Sequence, residues 1–340
     1  MRAVVLVNLG SPDSPQVDDV RRYLDEFLND PYVIDYPTWI RKLVVHGIVL
    51  RSRPPKTAAL YREIWTKDGS PLVVFTRLLA DAVAHRLQDT STVVVWAMRY
   101  GQPSINHVVQ QLAARGDITD VTLVPLYPQY AMATTVTVVE RMRKSMRVHL
   151  PSAQLVVVRP WYNNPSVIDL LARRLSAAIH SPDSHVILSY HGVPERHLRK
   201  TDPTHQHCLR TKDCCSVVSD VWATCYRHQC ITMTERIAER VGLSADRITT
   251  TFQSRFGPDT WLQPFTDTKV AELAKAGTSS IIVMSPAFVA DCLETLEELD
   301  VGTRKVFLDN GGTSFQYVPC LNADADWVDV LSEIITTTKS

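Results

Sequence analysis

The sequence has no excess of charge of either sign, since its 340 residues contain 36 Lys+Arg and 36 Asp+Glu. A general nucleic-acid-binding protein needs a basic surplus, so the composition favours no nucleic-acid partner. No uninterrupted apolar run reaches the about 18 residues of a membrane-spanning helix. The apolar part of the N-terminal MRAVVLVNLGSP is too short for a secretory signal. We therefore expect a cytoplasmic protein.

Cysteine pairs of the C-x₂-C type are also absent, although the sequence has 7 cysteines. Cytoplasmic thiols stay reduced, so we expect metal binding or chemistry before disulfides. Most of the cysteines lie within residues 208–230, too densely for scattered core positions. They are Cys208, Cys214, Cys215, Cys225 and Cys230. Four thiolates suit either a [2Fe–2S] cluster or a structural zinc ion.

Short apolar runs alternate with helical periods along the whole chain, which predicts an α/β protein. The predicted strands are Val4–Asn8, Val93–Trp96, Val121–Leu126, Leu155–Val158, Val186–Ser189, Ile248–Phe252, the run from Ile281, and Lys305–Leu308. The halves also repeat one pattern: RYG (99–101) or RFG (255–257) precedes a helix ending in LAARG or LAKAG, and a strand then runs to a proline. We predict two similar doubly wound domains with small parallel sheets and a cleft between them. They cover residues 1–160 and 161–320, and residues 321–340 hold a terminal helix, Asp326–Thr336.

Carboxylates follow the run from Ile281, where the apolar period becomes helical. Asp291, placed to cap that helix, falls at i, i+3 and i+7 with Glu294 and Glu298, so three carboxylates share one face. Like charges this close raise carboxylate pKa values and favour a proton or a metal cation. Such a row is by itself more often a solvated acidic surface.

His191 directly follows the strand VILSY, at the edge where ligands of doubly wound sheets bind. An imidazole there suits proton transfer or a transition metal, and a histidine bonded to a loop carbonyl is the alternative. Residues 36–55 combine apolar side chains with Arg and Lys flanks. They are either an ordinary core helix or a hydrophobic lip over a pocket or on a membrane surface. A histidine, carboxylates and an apolar lip together fit a flat hydrophobic ligand and a divalent cation.

Four stretches resemble the ferrochelatase family, whose members insert ferrous iron into a porphyrin, and the resemblance covers nearly the whole chain. They are VLVNLGSP (Val5–Pro12), SYHGVPERHL (Ser189–Leu198), QSRFGPDTWLQPFTD (Gln253–Asp267) and SPAFVADCLETLEEL (Ser285–Leu299). The resemblance implies that porphyrin binds between two α/β domains and that residues 36–55 form a mobile lip. It also implies that the terminal helix packs back on the first domain.

The resemblance implies roles for individual residues. His191 and Glu294 match the active-site histidine and glutamate, which also contact the metal, and Glu298 matches a further acidic position. Cys292 stands where some members have histidine. The candidate porphyrin contacts are Gly10, Arg62, Tyr100 and Tyr130. The resemblance favours a [2Fe–2S] cluster over zinc, with Cys208, Cys214, Cys215 and Cys225 ranked ahead of Cys230.

The expected reaction is insertion of Fe²⁺ into protoporphyrin IX to form haem with release of two protons. Porphyrin and ferrous iron are then the partners, with peripheral contact at the inner face of a membrane. The alternatives are a coproporphyrin III ferrochelatase, a cobalt chelatase of related fold, and a non-enzymatic two-domain binding module. The sequence leaves the oligomeric state open.

Overall fold

The computed structural model describes residues 1–87 and 91–338. Its contacts divide the chain into two compact units. The first unit contains Met1–Tyr127, Met132–Arg159 and the chain from Leu321 onward, and the second contains Pro128–Ala131 and Pro160–Cys320. The chain therefore passes into the second unit after Arg159 and returns to the first after Cys320.

Eight strands and twelve α-helices are present in the described residues. The strands are β1 (Arg2–Gly10), β2 (Thr92–Tyr100), β3 (Asp120–Pro125), β4 (Gln154–Val157), β5 (His185–His191), β6 (Ile248–Gln253), β7 (Ser280–Met284) and β8 (Ser314–Val318). The helices are α1 (Val17–Leu28), α2 (Thr38–Val44), α3 (Leu50–Ile64), α4 (Pro71–Leu87), α5 (Ile105–Ala114), α6 (Thr137–His149), α7 (Pro165–Ala178), α8 (Glu195–Thr201), α9 (Tyr226–Val241), α10 (Thr266–Lys275), α11 (Arg304–Asp309) and α12 (Ala325–Thr337). Three π-helical segments, Val45–Val49, Met132–Val136 and Glu294–Thr303, join or precede α-helices.

Each unit is built on one four-stranded parallel sheet. The strand order is β2-β1-β3-β4 in the first unit and β6-β5-β7-β8 in the second, so the two sheets share one topology. In β1, Val5 and Val7 pack into the core with α5 and α6. The alternating Val4 and Leu6 are fully buried as well, as expected for a parallel sheet covered on both faces. The prediction of an α/β protein with two small parallel sheets is confirmed.

The end of the second unit differs from the prediction. Lys305–Leu308 was predicted as a strand, but it lies in α11, and the last strand, β8, follows the turn at Gly311 and Gly312. Four apolar or long side chains in a row do not distinguish a strand from a buried helix. Phe307 on α11 packs into the core against β8, so packing against the sheet decides in favour of the helix.

The terminal helix, α12, belongs to the first unit and packs against α4. Arg86 Nε donates to Asp329 Oδ1 at 2.5 Å, and Arg2 donates to the Ile335 carbonyl at 3.0 Å. The buried face of α12 includes Trp327 and Leu331, both fully buried. The helix thus completes the core on the α4 side of the first sheet.

Residues 38–64 form one continuous helical segment, from α2 through Val45–Val49 to α3. One side of it is buried through Val45 and Val49. The other side exposes large apolar side chains: Trp39 is 71% exposed, and Leu43 and Ile48 are each 64% exposed. The segment therefore combines both readings of the sequence, a core-facing side and an apolar outer side. No helix among the described residues has the length and apolar character needed to cross a membrane.

Candidate active site

The carboxyl ends of β5, β6 and β7 meet at one edge of the second sheet, because these strands are parallel neighbours. His191 is the last residue of β5 and lies in register with Gln253, the last residue of β6. The loop after β7 leads to Glu294, the first residue of the π-helical segment Glu294–Thr303. The fold therefore brings the predicted histidine and glutamates to the same edge of one unit.

The imidazole of His191 is fixed by its own loop. Nδ1 lies 2.6 Å from the Gly192 carbonyl oxygen. A carbonyl only accepts hydrogen bonds, so Nδ1 carries the proton and Nε2 of the neutral ring keeps its lone pair. The ring is half-buried, with its centroid 6.3 Å from that of Phe288. Nε2 is thus the atom available to accept a proton or bind a metal.

Gln253 links the histidine side of the site to the carboxylate side. Its backbone carbonyl accepts from Gly192 N at 2.7 Å, and its Nε2 donates to the Glu294 carbonyl at 2.8 Å. Ser189 Oγ donates to Gln253 Oε1 at 2.6 Å, which fixes the orientation of the amide. Sequence reasoning missed this residue. The signal was its place at the end of β6, inside the motif that begins at Gln253.

Glu298 is the acid whose pKa departs from the ordinary value. Burial, and next the negative charge of Glu294, raise the pKa of Glu298 to about 7. Ser254 Oγ donates to Glu298 Oε2 from a residue with φ of 65°, and Gln253 also bonds to this carboxyl. Glu298 can therefore hold or release a proton near neutral pH.

The predicted row of three carboxylates is wrong for Asp291. Its Oδ1 accepts from Tyr317 Oη at 2.8 Å, Thr295 Oγ1 at 3.1 Å and Cys320 N at 3.3 Å, and the side chain is buried. Asp291 precedes the π-helical segment, so the 3.6-residue period does not apply to it. It organises the turn before Glu294 and is not part of an open acidic face.

Cys292 lies directly against Glu294. Burial, and next the Glu294 carboxylate, raise the pKa of the Cys292 thiol well above its ordinary range, and the thiol shares a hydrogen bond with the Glu294 carboxyl. The thiol therefore stays protonated and holds this carboxyl from one side.

The candidate porphyrin contacts have different surroundings. Tyr100 is fully buried in the first unit, with its hydroxyl donating to Asp30 Oδ2 at 2.9 Å. Gly10 has φ of 113°, and a Cβ there would lie 1.7 Å from the Tyr100 carbonyl oxygen, so it allows two strand ends to meet closely. Arg62 is exposed on α3. Tyr130, in the second unit, is half-buried, and its N–H donates to Gln229 Oε1 at 2.7 Å.

Residues 208–230, here called the cysteine segment, gather the thiols of Cys208, Cys214 and Cys215 around Cys225. The Cys208 and Cys215 thiols hydrogen-bond to Cys225, and these bonds lower the pKa of Cys225 to about 3. Cys214 lies close enough to influence both of those thiols electrostatically. Backbone N–H groups also point at sulfur: Leu209 N lies 3.4 Å from Cys214 Sγ, and His228 N lies 3.5 Å from Cys225 Sγ.

Cys230 has a different environment, one turn into α9. It is fully buried, and its thiol shares a hydrogen bond with the Tyr226 hydroxyl. Cys225 therefore forms the centre of a group with Cys208, Cys214 and Cys215, and Cys230 lies beside it. Within residues 1–87 and 91–338, no three His, Cys, Asp or Glu side chains are arranged to bind a single metal ion.

Comparison with known proteins gives one consistent family. The family model for ferrochelatase matches residues 1–339 of the chain. A ferrochelatase of Stutzerimonas stutzeri (strain A1501) is 46% identical over 334 residues, which cover 98% of this chain and 97% of the relative. A ferrochelatase of Opitutus terrae is 45% identical over 337 residues, covering 99% of this chain and 97% of the relative.

Solved structures of chelatases share the fold at low sequence identity. SirB from Bacillus subtilis with Fe³⁺ gives a TM-score of 0.57 at 11% identity, covering 99% of this chain and 95% of that chain. The sirohydrochlorin chelatase SirB from Bacillus subtilis subspecies spizizenii in complex with cobalt gives 0.55 at 9% identity, covering 99% and 94%. At these identities the likeness concerns the fold alone.

Proposed function

Because the chain belongs to the ferrochelatase family, we propose that it inserts Fe²⁺ into protoporphyrin IX, forming haem and releasing two protons. We assign the chemistry to His191, Glu294 and Glu298 at the edge of the second sheet. The observation that carries this assignment is the shared contact of Gln253 with the His191 loop and with Glu294. Ferrous iron is a substrate here, and a site that passes a metal on needs few protein ligands.

On the histidine side, His191 Nε2 accepts a pyrrole proton or binds the incoming iron. The hydrogen bond from Nδ1 to the Gly192 carbonyl supports this role, because it fixes the tautomer and the ring orientation. A lone pair held in place in advance lowers the reorganisation that proton transfer requires.

On the carboxylate side, Glu294 binds the cation or takes up a proton, and Glu298 passes protons onward. The raised pKa of Glu298, about 7, suits such a relay at neutral pH. Loss of two pyrrole protons leaves a dianionic ring that balances the charge of Fe²⁺, so the site needs one route for cations and one for protons. Neighbouring carboxyls in different protonation states provide both.

The porphyrin contacts are proposed from the sequence motifs together with residue exposure. Arg62 is exposed and able to pair with a carboxylate of the ring periphery. Gly10 and Tyr130 contribute backbone and aromatic surface. The side chain of Tyr100 is fully buried, so we propose that it supports the porphyrin-binding residues of the first unit from the core.

For the cysteine segment we propose a [2Fe–2S] cluster held by Cys208, Cys214, Cys215 and Cys225. The donor set fits, because buried thiols converge on a Cys225 whose pKa is lowered and N–H groups point at two sulfurs. A bound cluster would cross-link the segment and supply one-electron redox chemistry.

We also propose that the exposed side of residues 38–64 meets a membrane surface. Trp39, Leu43 and Ile48 are mostly exposed, and Lys42 and Arg51 are exposed nearby. Apolar side chains with basic neighbours bind the interface of anionic lipids. This arrangement supports a cytoplasmic enzyme that associates peripherally with the inner face of a membrane.

The test of the function compares single variants in a porphyrin metallation assay. Wild-type protein with protoporphyrin IX and Fe²⁺ should give the Soret shift of haem, and His191→Ala and Glu294→Gln should reduce the rate at least about a hundredfold. His185→Ala, at the opposite end of β5, and Glu239→Gln, an exposed carboxyl on α9, are the matched controls and should retain activity.

Substrate identity is read from the same assay with coproporphyrin III and with Co²⁺. Faster turnover of coproporphyrin III than of protoporphyrin IX would make coproporphyrin III the substrate. Faster insertion of Co²⁺ than of Fe²⁺ would make the protein a cobalt chelatase. Near-native activity of either site variant would remove that residue from the mechanism.

A further inference from the structure

We propose that Tyr226 is a positioning residue that ties His191 to the cysteine segment, so that a change at Cys225 alters the catalytic histidine. The inference rests on the proposed role of His191. It gives the cysteine segment a physical connection to the reaction that does not depend on the segment supplying a catalytic group.

The connection is a hydrogen bond to the backbone of the histidine itself. Tyr226 Oη donates to the His191 carbonyl oxygen at 2.8 Å. The pairing of β5 with β7 ends at Leu188, so that strand no longer supplies a partner for β5 at His191. A buried carbonyl without a partner is costly. The Tyr226 hydroxyl therefore fixes the end of β5 at the residue that carries the imidazole.

Tyr226 is in turn positioned by Cys225. Tyr226 is the first residue of α9, and Cys225 is the N-cap, with its Sγ accepting from His228 N. The same sulfur accepts hydrogen bonds from the Cys208 and Cys215 thiols. Metal ligation of Cys225, or its replacement by a residue without a side-chain acceptor, therefore changes the cap of the helix that begins with Tyr226.

Cys230 supports the Tyr226 hydroxyl from the other side. Its thiol shares a hydrogen bond with that hydroxyl, and both side chains are buried. The hydroxyl thus has two neighbours, the His191 carbonyl and the Cys230 thiol. This arrangement gives Cys230 a task separate from the group around Cys225.

The first experiment removes only the hydroxyl. We expect Tyr226→Phe to lower kcat about fivefold, the effect of one hydrogen bond, with the KM for protoporphyrin IX within about twofold of wild type. The matched control is Tyr190→Phe, which removes another buried hydroxyl, bonded to Thr234 Oγ1 of the same α9 at 3.0 Å. Tyr190→Phe should lose about as much thermal stability as Tyr226→Phe and should retain the wild-type kcat. Unchanged kcat in Tyr226→Phe, or equal losses of kcat and stability in both variants, would overturn the inference.

The second experiment measures the coupling to Cys225. Cys225→Ala, which leaves no side-chain acceptor for His228 N, should lower kcat in the wild-type background but by less than about twofold in Tyr226→Phe, because the connection is already broken. If kcat of the double variant falls by the product of the two single losses, the two residues act independently and the coupling is refuted. If Cys225→Ala does not fold, Cys208→Ala, which removes one hydrogen bond to Cys225, takes its place.

A third readout does not involve activity. In protein labelled with ¹³C at histidine Cε1, the signal assigned by its loss in His191→Ala should shift in both Tyr226→Phe and Cys225→Ala. An unshifted signal would refute the connection. If His191→Ala keeps its activity, the proposed function fails. If His191→Ala is inactive while Tyr226→Phe is fully active, only the present inference fails.

Discussion

Glu298→Gln should stabilise the folded protein, and the gain should grow as the pH rises. The folded-state pKa of Glu298 is about 7, compared with an ordinary value of 4.5, because burial and the Glu294 charge oppose ionisation. A difference of about 2.5 pKa units corresponds to about 3 kcal/mol. Gln can still accept the hydrogen bond from Ser254 Oγ, so the substitution removes the charge and keeps that contact.

The direction of this pH dependence follows from which state of the protein, folded or unfolded, holds the proton on Glu298. Below about pH 4.5 the carboxyl is protonated in both states and contributes no penalty. Between about pH 4.5 and pH 7 the unfolded chain ionises first, so the wild-type folded state loses relative stability. Above about pH 7 both states are ionised and the full penalty of about 3 kcal/mol applies. The advantage of Glu298→Gln should therefore rise through this window and then level off.

Chemical denaturation of wild type and Glu298→Gln at pH 5, 6, 7 and 8 measures the difference directly. Comparing the two proteins at each pH cancels the titration of the groups that do not interact with Glu298. Glu239→Gln, on the exposed surface of α9, is the control and should give a difference that changes little with pH. A difference for Glu298→Gln that is flat with pH, or that falls as the pH rises, would refute the burial argument.

Three further outcomes follow from other parts of the molecule. Purified protein should show visible absorbance with iron and sulfide in equal amounts. Cys208→Ser should lose this absorbance, whereas Cys320→Ser, outside the cysteine segment, should retain it, and colourless wild-type protein would reject the cluster. Leu43→Glu should reduce co-sedimentation with anionic vesicles, whereas Val148→Glu, at an exposed apolar residue on α6, should not. Equal co-sedimentation of the two variants would reject the proposal that residues 38–64 bind a membrane. Gly10→Ala should lower stability by more than about 1 kcal/mol, since its Cβ would meet the Tyr100 carbonyl, and a melting temperature equal to wild type would contradict that contact.

The regular elements of the fold could be predicted because their signals are local. Buried strands such as β1 and β5 show as apolar runs, and turn residues end helices. Gly116 and Gly277, predicted as helix ends, have φ of 73° and 96°, conformations that favour glycine. Predicted helices and strands agree with the structure within a few residues where one period dominates. The first turns of α9, which begins at Tyr226, lie within the cysteine segment, where the cysteines hide the helical period in the sequence.

The site could be predicted only in part because its geometry depends on partners distant in sequence. His191 and Glu294 follow strands, which sequence patterns reveal. Asp291 was misplaced because the hydrogen bonds from Tyr317 and Cys320 that turn it inward join residues far apart in the chain. The π-helical segment Glu294–Thr303 has no distinctive period in the sequence. The only signal for Gln253 was its place at the end of β6, and an amide at a strand end is common.

The two sheets repeat one strand order, but their central strands end differently: β1 ends at Gly10 and β5 at His191. Strand pairing uses backbone groups, so the two sheets keep the same framework with different residues at the tip. A repeated scaffold of this kind permits division of labour, in which one copy carries an ionisable group at its tip and the other uses its tip for the close approach of two strand ends. Exchanging the two residues is therefore expected to damage both units, for different reasons. Gly10→His would collide with the Tyr100 carbonyl, and His191→Gly would remove the proposed proton acceptor.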